Sequence, residues 1–461
     1  MALAKVLAFY NRATAQLLKR RWPAQAARRF AAAYRLQPRE RAARRAVEAF
    51  IAVGYFREAK DICARQIENG DKLAHWRHYA SYVGDIEELA EKRKSSGGST
   101  RIALFNDTDG RTNIGCRLTS QSFKSAIETA FPNASIDSAG FRFRSYRTTE
   151  KTSIQDGAAE VREELERLVT AGYGPQSLDN LLGAQLIVLQ PEGSIDDDVN
   201  LQGLLTFFSP VLLAALLGKP TAILNGTIPG YGGARRAFLR SVFALVDVAA
   251  ARDRISAENY SIRFLPDAAL LFAPPPYTGE RDACLITTGA RNTEEQDRLI
   301  CTKALEICRE FQLRPVVLTR ASARFAEFRP QIEALNGIFA ETASLYEASR
   351  TVSRCRLHVG ARYHMAILSL VCGVPSVLFD VKTRKNEWLT QFSALIMQAS
   401  LDGPLLPRAQ ELLSKAGEYP APRDALGTDY VDLLRRAAGA EKVVRAGPVT
   451  QLLNEFAHES G

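Results

Sequence analysis

The run at residues 184–189, AQLIVL, constrains the fold most. It is apolar almost without interruption and shows no alternation, so a strand made of it needs cover on both faces. Such strands belong to parallel sheets with helices packed on either side. The neighbouring segments fit that requirement. RIALFN at 101–106 reads as a strand, followed by the loop DTDGRTNIGCRLTS and a helix from about residue 121 to 130. Residues 204–217 read as a core helix, 220–225 (PTAILN) as a strand, 236–246 as a helix and 248–251 as a strand. Strand and helix alternate, which predicts a doubly wound parallel sheet with loops gathered at the strand C-termini.

The pattern restarts after APPP at 273–276. Strands are expected at 283–287, 315–319 (PVVLT), 357–360 and 376–380 (SVLFD), with helices at 294–312, 345–352 and 363–371. Helical patterns at about 405–415 and 430–458 follow. The expected fold class is therefore α/β, with two doubly wound Rossmann-like domains in the GT-B-like manner, preceded by an all-α N-terminal segment. The expected division is a helical segment at 1–94, a linker at 95–100 (SSGGST), a first domain at 101–250, a second at 251–400 and C-terminal helices at 401–461. Ligands would lie in the cleft between the two sheets.

Charge separates the first segment from the rest. The net charge is +9, yet residues 1–60 hold 14 Lys or Arg against three acids, which is +11 and leaves −2 for the remainder. A basic helical face of this kind suits an anionic lipid or polymer surface as well as plain solvation. It lacks the interleaved aromatics that stack bases, which argues against nucleic acid. Ala26, Phe30, Ala33 and Pro38 fall at the spacings of the second half of a tetratricopeptide repeat, with a weaker echo in Gly54, Tyr55, Glu58 and Ala59. An Ala-rich helical cap explains the same residues. Apolar residues at 46% and charged residues at 24% exclude disordered, collagenous and coiled-coil classes. The longest apolar run, 204–217, is broken by Thr206, Ser209 and Pro210 and is too short to span a bilayer. No secretory leader is expected. Seven cysteines without a CxxC pair suggest reduced thiols, and five histidines show no metal-ligand spacing, so neither metal nor cofactor is expected.

Four segments can carry chemistry. In GRTNIGCRLTS (110–120), Gly115 allows close backbone approach and Asn113 offers donor and acceptor at the start of a helix; an ordinary turn is the plainer reading. In LQPEGSIDDD (189–198), Glu192 follows the buried strand and could deprotonate a sugar hydroxyl, or merely cap the next helix; the three aspartates read as helix N-terminal charge. In ARDRIS (251–256), Arg252 could clamp a phosphate or carboxylate, or pair with an aspartate as a salt bridge. In HVGARYHMAILSLVCGVPSV (358–377), Arg362 and His364 enter an apolar helix at its N-terminus, an anion site strengthened by the helix dipole. His358 lies within the strand itself and fits a structural core role better.

Taken in order, NIGC (113–116), PEGS (191–194), LLGKP…NGTIPG (216–230), ARDRIS with PDAAL (266–270) and GARYHMAILSLVCGVPSV (360–377) with Lys382 or Lys385 beyond it resemble the polysaccharide pyruvyltransferase family over about residues 100–400. The resemblance implies a GT-B-like fold, and phosphoenolpyruvate as the donor whose enolpyruvyl carbon is moved onto two hydroxyls of a sugar. It implies that Arg252, Arg362 and His364 hold phosphoenolpyruvate, with His364 as general acid or as donor to the leaving phosphate. Asn113, Gly115 and Glu192 would face the acceptor, a cell-surface glycan or its lipid-linked precursor, with Glu192 as base. Two departures fall on the acceptor side. Cys116 stands where many members carry a carboxylate, and LQPEGS replaces a Gly-rich run.

A GT-B glycosyltransferase using a nucleotide-activated sugar or sugar acid would draw on the same residues, and a non-catalytic scaffold remains the third reading. The expected location is cytoplasmic, with residues 1–94 offering a peripheral contact to the inner face of an anionic membrane or to an assembly complex.

Overall fold

The computed structural model describes residues 23–36, 40–51 and 56–68, isolated positions 76, 80 and 83, and residues 100–459 except 112, 142–157, 290–291, 319–321, 341–343, 380–388, 391 and 415–422. The chain forms two compact units, Met1–Ser99 and Thr100–Gly461. The first contains helices α1 (Pro23–Leu36), α2 (Glu40–Ile51) and α3 (Phe56–Glu68), each packed on the next. Their shared core is small: Ala27, Phe30, Tyr34, Ala43, Val47, Ile62 and Trp76 are buried. Ala26, Ala33 and Ala59 are buried as well. Pro38, Gly54, Tyr55, the basic residues of 1–22 and the linker residues 95–99 lie outside the described residues.

The second unit holds two six-stranded sheets, every pairing in them parallel. The first runs through β1 (Arg101–Phe105), α4 (Ile114–Ala130), β2 (Ser135–Ala139), α5 (Ala158–Tyr173), α6 (Pro175–Gly183), β3 (Leu186–Leu189), α7 (Leu201–Leu216), β4 (Thr221–Gly226), α8 (Gly233–Leu245), β5 (Val248–Ala251), α9 (Arg254–Tyr260) and β6 (Arg263–Phe264). The second runs through β7 (Ala283–Thr287), α10 (Glu294–Glu310), β8 (Arg314–Leu318), α11 (Arg329–Ala334), β9 (Ile338–Ala340), α12 (Leu345–Ser353), β10 (Cys355–Gly360), α13 (Tyr363–Val371), β11 (Ser376–Phe379) and β12 (Ile396–Ala399). Helices α14 (Leu406–Ser414), α15 (Arg423–Ala438) and α16 (Ala446–Glu459) close the chain. The four residues of β3 are all buried, as their unbroken apolarity requires. This is the expected pair of doubly wound Rossmann-like domains.

Strand order places the site. In the first sheet, β2-β1-β3-β4-β5-β6, the winding reverses between β1 and β3; in the second, β12-β11-β10-β7-β8-β9, it reverses between β10 and β7. Loops diverge at such reversals and leave a crevice at the strand C-termini. The loops after β1 and β3 carry Asn106–Asn113 and Gln190–Asn200, and β10 leads directly to Arg362 and His364. One apolar cluster spans both domains, joining Ile102, Leu118 and Ile127 to Leu285, Met365, Leu368 and Tyr430. Helix α13 packs on α4 and on the 3-10 turn Ala268–Leu271, which brings the start of α13 against the first domain.

Three expectations need correction. The domain division does not fall at 250/251, because β6 hydrogen-bonds to β5 and completes the first sheet; the chain crosses over between Leu271 and Ala283. Helices α15 and α16 return to pack on the first domain, α15 against α4, β4 and β5, α16 against α5, α7 and α8. Helix α4 begins at Ile114 instead of near 121, since Asn113 caps it by accepting from the Gly115 amide. The aspartates 196–198 precede the helix N-cap, which is Asn200, and so are not in its first turn.

Candidate active site

His364 occupies the second position of α13, with Arg362 as its N-cap residue. The imidazole is only 14% exposed. Its Nε2 faces inward, 3.0 Å from Thr119 Oγ1, 3.3 Å from Arg252 Nη1 and 3.5 Å from Asp267 Oδ2. Its Nδ1 side lies against Gly115 of the same helix, α4, that carries Thr119. An added Cβ on Gly115 would lie 2.6 Å from Nδ1 and 2.8 Å from Cγ, so only glycine lets α4 come this close. The close approach expected at Gly115 is thus to His364.

Arg252 follows β5 and is 2% exposed. Nε donates to Thr227 Oγ1 at 2.9 Å and Nη1 to Asp267 Oδ2 at 2.8 Å, while Nη2 makes no hydrogen bond among the described residues. The expected salt bridge exists, but its partner is Asp267 of the PDAAL segment; the neighbouring Asp253 caps α9 instead. Asp267 has no exposure and also accepts from the Ala269 amide at 2.9 Å. Burial pushes its carboxyl upward, but Arg252, then His364, outweigh burial and hold it well below the usual carboxylate range. Tyr363 closes the group, its ring edge-on to the imidazole with centroids 5.0 Å apart and the Arg252 guanidinium 5.5 Å over its face. Arg252 follows a strand of the first sheet, so the cluster of Arg252, Asp267 and His364 draws on both domains, not on the second alone.

Glu192 stands beyond β3 with a left-handed φ of 52°, a conformation that costs a non-glycine residue about 1–3 kcal/mol and marks functional sites. Two backbone bonds impose it: Glu192 N donates to Asn225 O at 3.1 Å, and Thr227 N donates to Glu192 O at 2.7 Å. The side chain is 5% exposed, and Oε2 is buried without a hydrogen bond, 3.9 Å from Arg111 Nη1. A buried carboxylate oxygen with no donor is costly unless a ligand supplies one. Arg111 also reaches Asn106 Oδ1 at 3.2 Å and Ser194 Oγ at 3.4 Å. The adjoining loop is fastened by Lys124, which bridges Asp107 at 3.2 Å and Asp109 at 2.8 Å. Burial pushes the Cys116 thiol up to about 11, with the Glu192 charge adding and Arg111 opposing, so this sulfur stays protonated at neutral pH.

Gly115 and Cys116 connect the two clusters, one touching His364 and the other lying beside Glu192. Arg252, His364, Gly115 and Glu192 lie in these adjoining clusters, and Arg362 is the N-cap residue of α13, two positions before His364. Asn113 spends Oδ1 on the helix cap at 3.1 Å, which leaves its amide nitrogen for a ligand. His358 is fully buried between Thr287 Oγ1 at 2.8 Å and Ser376 Oγ at 3.0 Å, the structural role expected of it. Lys382 and Lys385 lie outside the described residues. Sequence reasoning missed Thr119, Arg111 and the role of Asp267. All three lie in quoted segments, Arg111 and Thr119 in GRTNIGCRLTS and Asp267 in PDAAL, but no spacing in the sequence marks what each of them meets.

A family model described as polysaccharide pyruvyl transferase matches residues 113–383. No curated protein matches the chain. Among solved structures, UDP-GlcNAc 2-epimerase from Methanocaldococcus jannaschii is similar at 15% identity and a TM-score of 0.47, over 73% of this chain and 99% of that one. Glycosyltransferase SnogD from Streptomyces nogalater is similar at 13% identity and 0.39, over 78% and 99%. A mutant O-GlcNAc transferase of Thermobaculum terrenum is similar at 11% identity and 0.37, over 95% and 89%.

Proposed function

The chain is a transferase of the polysaccharide pyruvyl transferase family, and on that premise we propose that it condenses phosphoenolpyruvate with two hydroxyls of a sugar in a glycan or its lipid-linked precursor, giving a pyruvate ketal and inorganic phosphate. The observation that carries this reading is the Arg252–His364 contact at 3.3 Å, two cationic-capable groups held in one part-buried pocket by a single shared carboxylate, Asp267. A small donor with a phosphate and a carboxylate matches such a pocket better than a neutral one would. Arg252 Nη2, His364 Nδ1 and the N-terminus of α13 with Arg362 supply its positive face.

The chemistry follows from that placement. A proton added to the methylene carbon leaves cation-like character at C2, which the first sugar hydroxyl attacks. Glu192 takes the hydroxyl proton; its buried Oε2, without a hydrogen bond, suits a sugar O–H. The C2–O bond to phosphate then breaks, the guanidinium of Arg252 and a proton from His364 easing departure. The second hydroxyl closes the ketal. Of the two hydroxyl protons released overall, one ends on the new methyl group and one on phosphate, so the reaction balances without a redox partner.

The full chain, incubated with phosphoenolpyruvate and a panel of nitrophenyl glycosides, is expected to release phosphate in step with a new ketal methyl signal by NMR. Release of a nucleoside phosphate from nucleotide sugars, with none from phosphoenolpyruvate, would replace this reading with glycosyl transfer.

A further inference from the structure

We propose that Thr119 is a positioning residue that fixes the ring tautomer of His364, keeping the proton of the neutral imidazole on Nδ1. The inference deepens the reading above, in which His364 gives up a proton, and rests on it only for the kinetic part of its test.

Thr119 lies in α4 with no exposure, and its Oγ1 is 3.0 Å from His364 Nε2. That is the only hydrogen bond its side chain makes among the described residues. The second neighbour of Nε2, Arg252 Nη1 at 3.3 Å, can donate and never accept. The third, Asp267 Oδ2 at 3.5 Å, can only accept; it receives Arg252 Nη1 at 2.8 Å, and its contact with the imidazole is an ion pair of the protonated ring and not a hydrogen bond of the neutral one.

The two tautomers differ in how many donors they satisfy. With Nε2 bare, its lone pair takes the Thr119 hydroxyl proton and faces the Arg252 N–H. With Nε2 protonated, two N–H groups oppose each other and Thr119 becomes the acceptor, its own proton left without a partner in a buried position. An unpaired buried donor is the costly outcome. The proton therefore belongs on Nδ1, the nitrogen beside Gly115, which is not sealed from solvent as Thr119 is and so leaves no buried donor unpaired. The donor then meets an N–H instead of a lone pair. The neutral ring is thus set as a hydrogen-bond donor toward the donor phosphate, it can give up a proton only once Nε2 is protonated as well, and the base role falls to Glu192.

Nitrogen NMR of the full chain carrying labelled histidine, in mildly alkaline buffer without substrate, tests this directly. The sequence has five histidines, and the His364 pair is identified by its loss in His364→Gln. The expected result is a pyrrole-type Nδ1 and a pyridine-type Nε2 in the wild type. Thr119→Val should shift the pair toward the reverse pattern, and Thr119→Ser should restore it. The reverse pattern in the wild type, or an unaltered pattern in Thr119→Val, overturns the proposal. In turnover with phosphoenolpyruvate, Thr119→Val should lower kcat about tenfold with KM within about twofold, recovered by serine; loss of turnover with unaltered spectra also overturns it. The spectra involve no substrate, so they decide the tautomer even if the donor proves to be another molecule.

Discussion

Replacing Gly115 with alanine separates the seating of His364 from the stability of the fold. The added Cβ would lie 2.6 Å from Nδ1, 2.7 Å from the His364 Cβ and 2.8 Å from Cγ. Carbon atoms rest at about 3.5 Å or more, so the ring or the helix has to retreat by about 1 Å. A retreat of that size stretches the 3.0 Å contact to Thr119 and the 3.3 Å contact to Arg252 beyond hydrogen-bonding distance. A misplacement of about 1 Å costs on the order of 100-fold in rate, or about 2.7 kcal/mol of barrier. Stability should change much less, because alanine in the first turn of α4 recovers up to about 1 kcal/mol of helix propensity against an overpacking cost of about 1–3 kcal/mol. Phosphate release under saturating donor, measured beside thermal unfolding, checks both halves. A Gly115→Ala protein with wild-type kcat would show that His364 does not need this seat, and the reasoning would fail.

Glu192→Gln should lower kcat by about 100-fold or more while leaving the affinity for phosphoenolpyruvate nearly unchanged, as a titration against the wild type would reveal. Asp267→Asn leaves the Arg252 charge buried without its counter-ion and should cost about 3–5 kcal/mol in denaturant unfolding. His358, pushed down to about 3 by burial, stays neutral in the fold while its unfolded counterpart gains a proton below about pH 6.5. The unfolded state then binds the extra proton, so stability should fall with falling pH by about 1.4 kcal/mol per unit from pH 6.5 toward 3, a slope that His358→Gln should reduce.

The strands were legible because a parallel sheet leaves an unambiguous trace: residues 186–189 and 283–287 are apolar and buried on both faces and end in loops. The two-residue β6 and the edge strand β12 carry no such trace, and with β6 unseen the domain division slipped to 250/251. The start of α4 was obscured by Gly115, Cys116, Thr119 and Ser120, which are weak helix formers placed there for contacts and not for propensity. The cationic residues of the site were readable as cations after strands. Their partners were not, since Thr119 meets His364 across 245 positions of sequence and no local pattern marks that pairing.

Equilibrium titration of the full chain with phosphoenolpyruvate, wild type beside His364→Ala, tests the cationic donor pocket most directly. Measurable binding by the wild type, weakened at least about tenfold in the variant, with none for UDP or a UDP-sugar, is the predicted result. Tight binding of the UDP-sugar with no binding of phosphoenolpyruvate would contradict it.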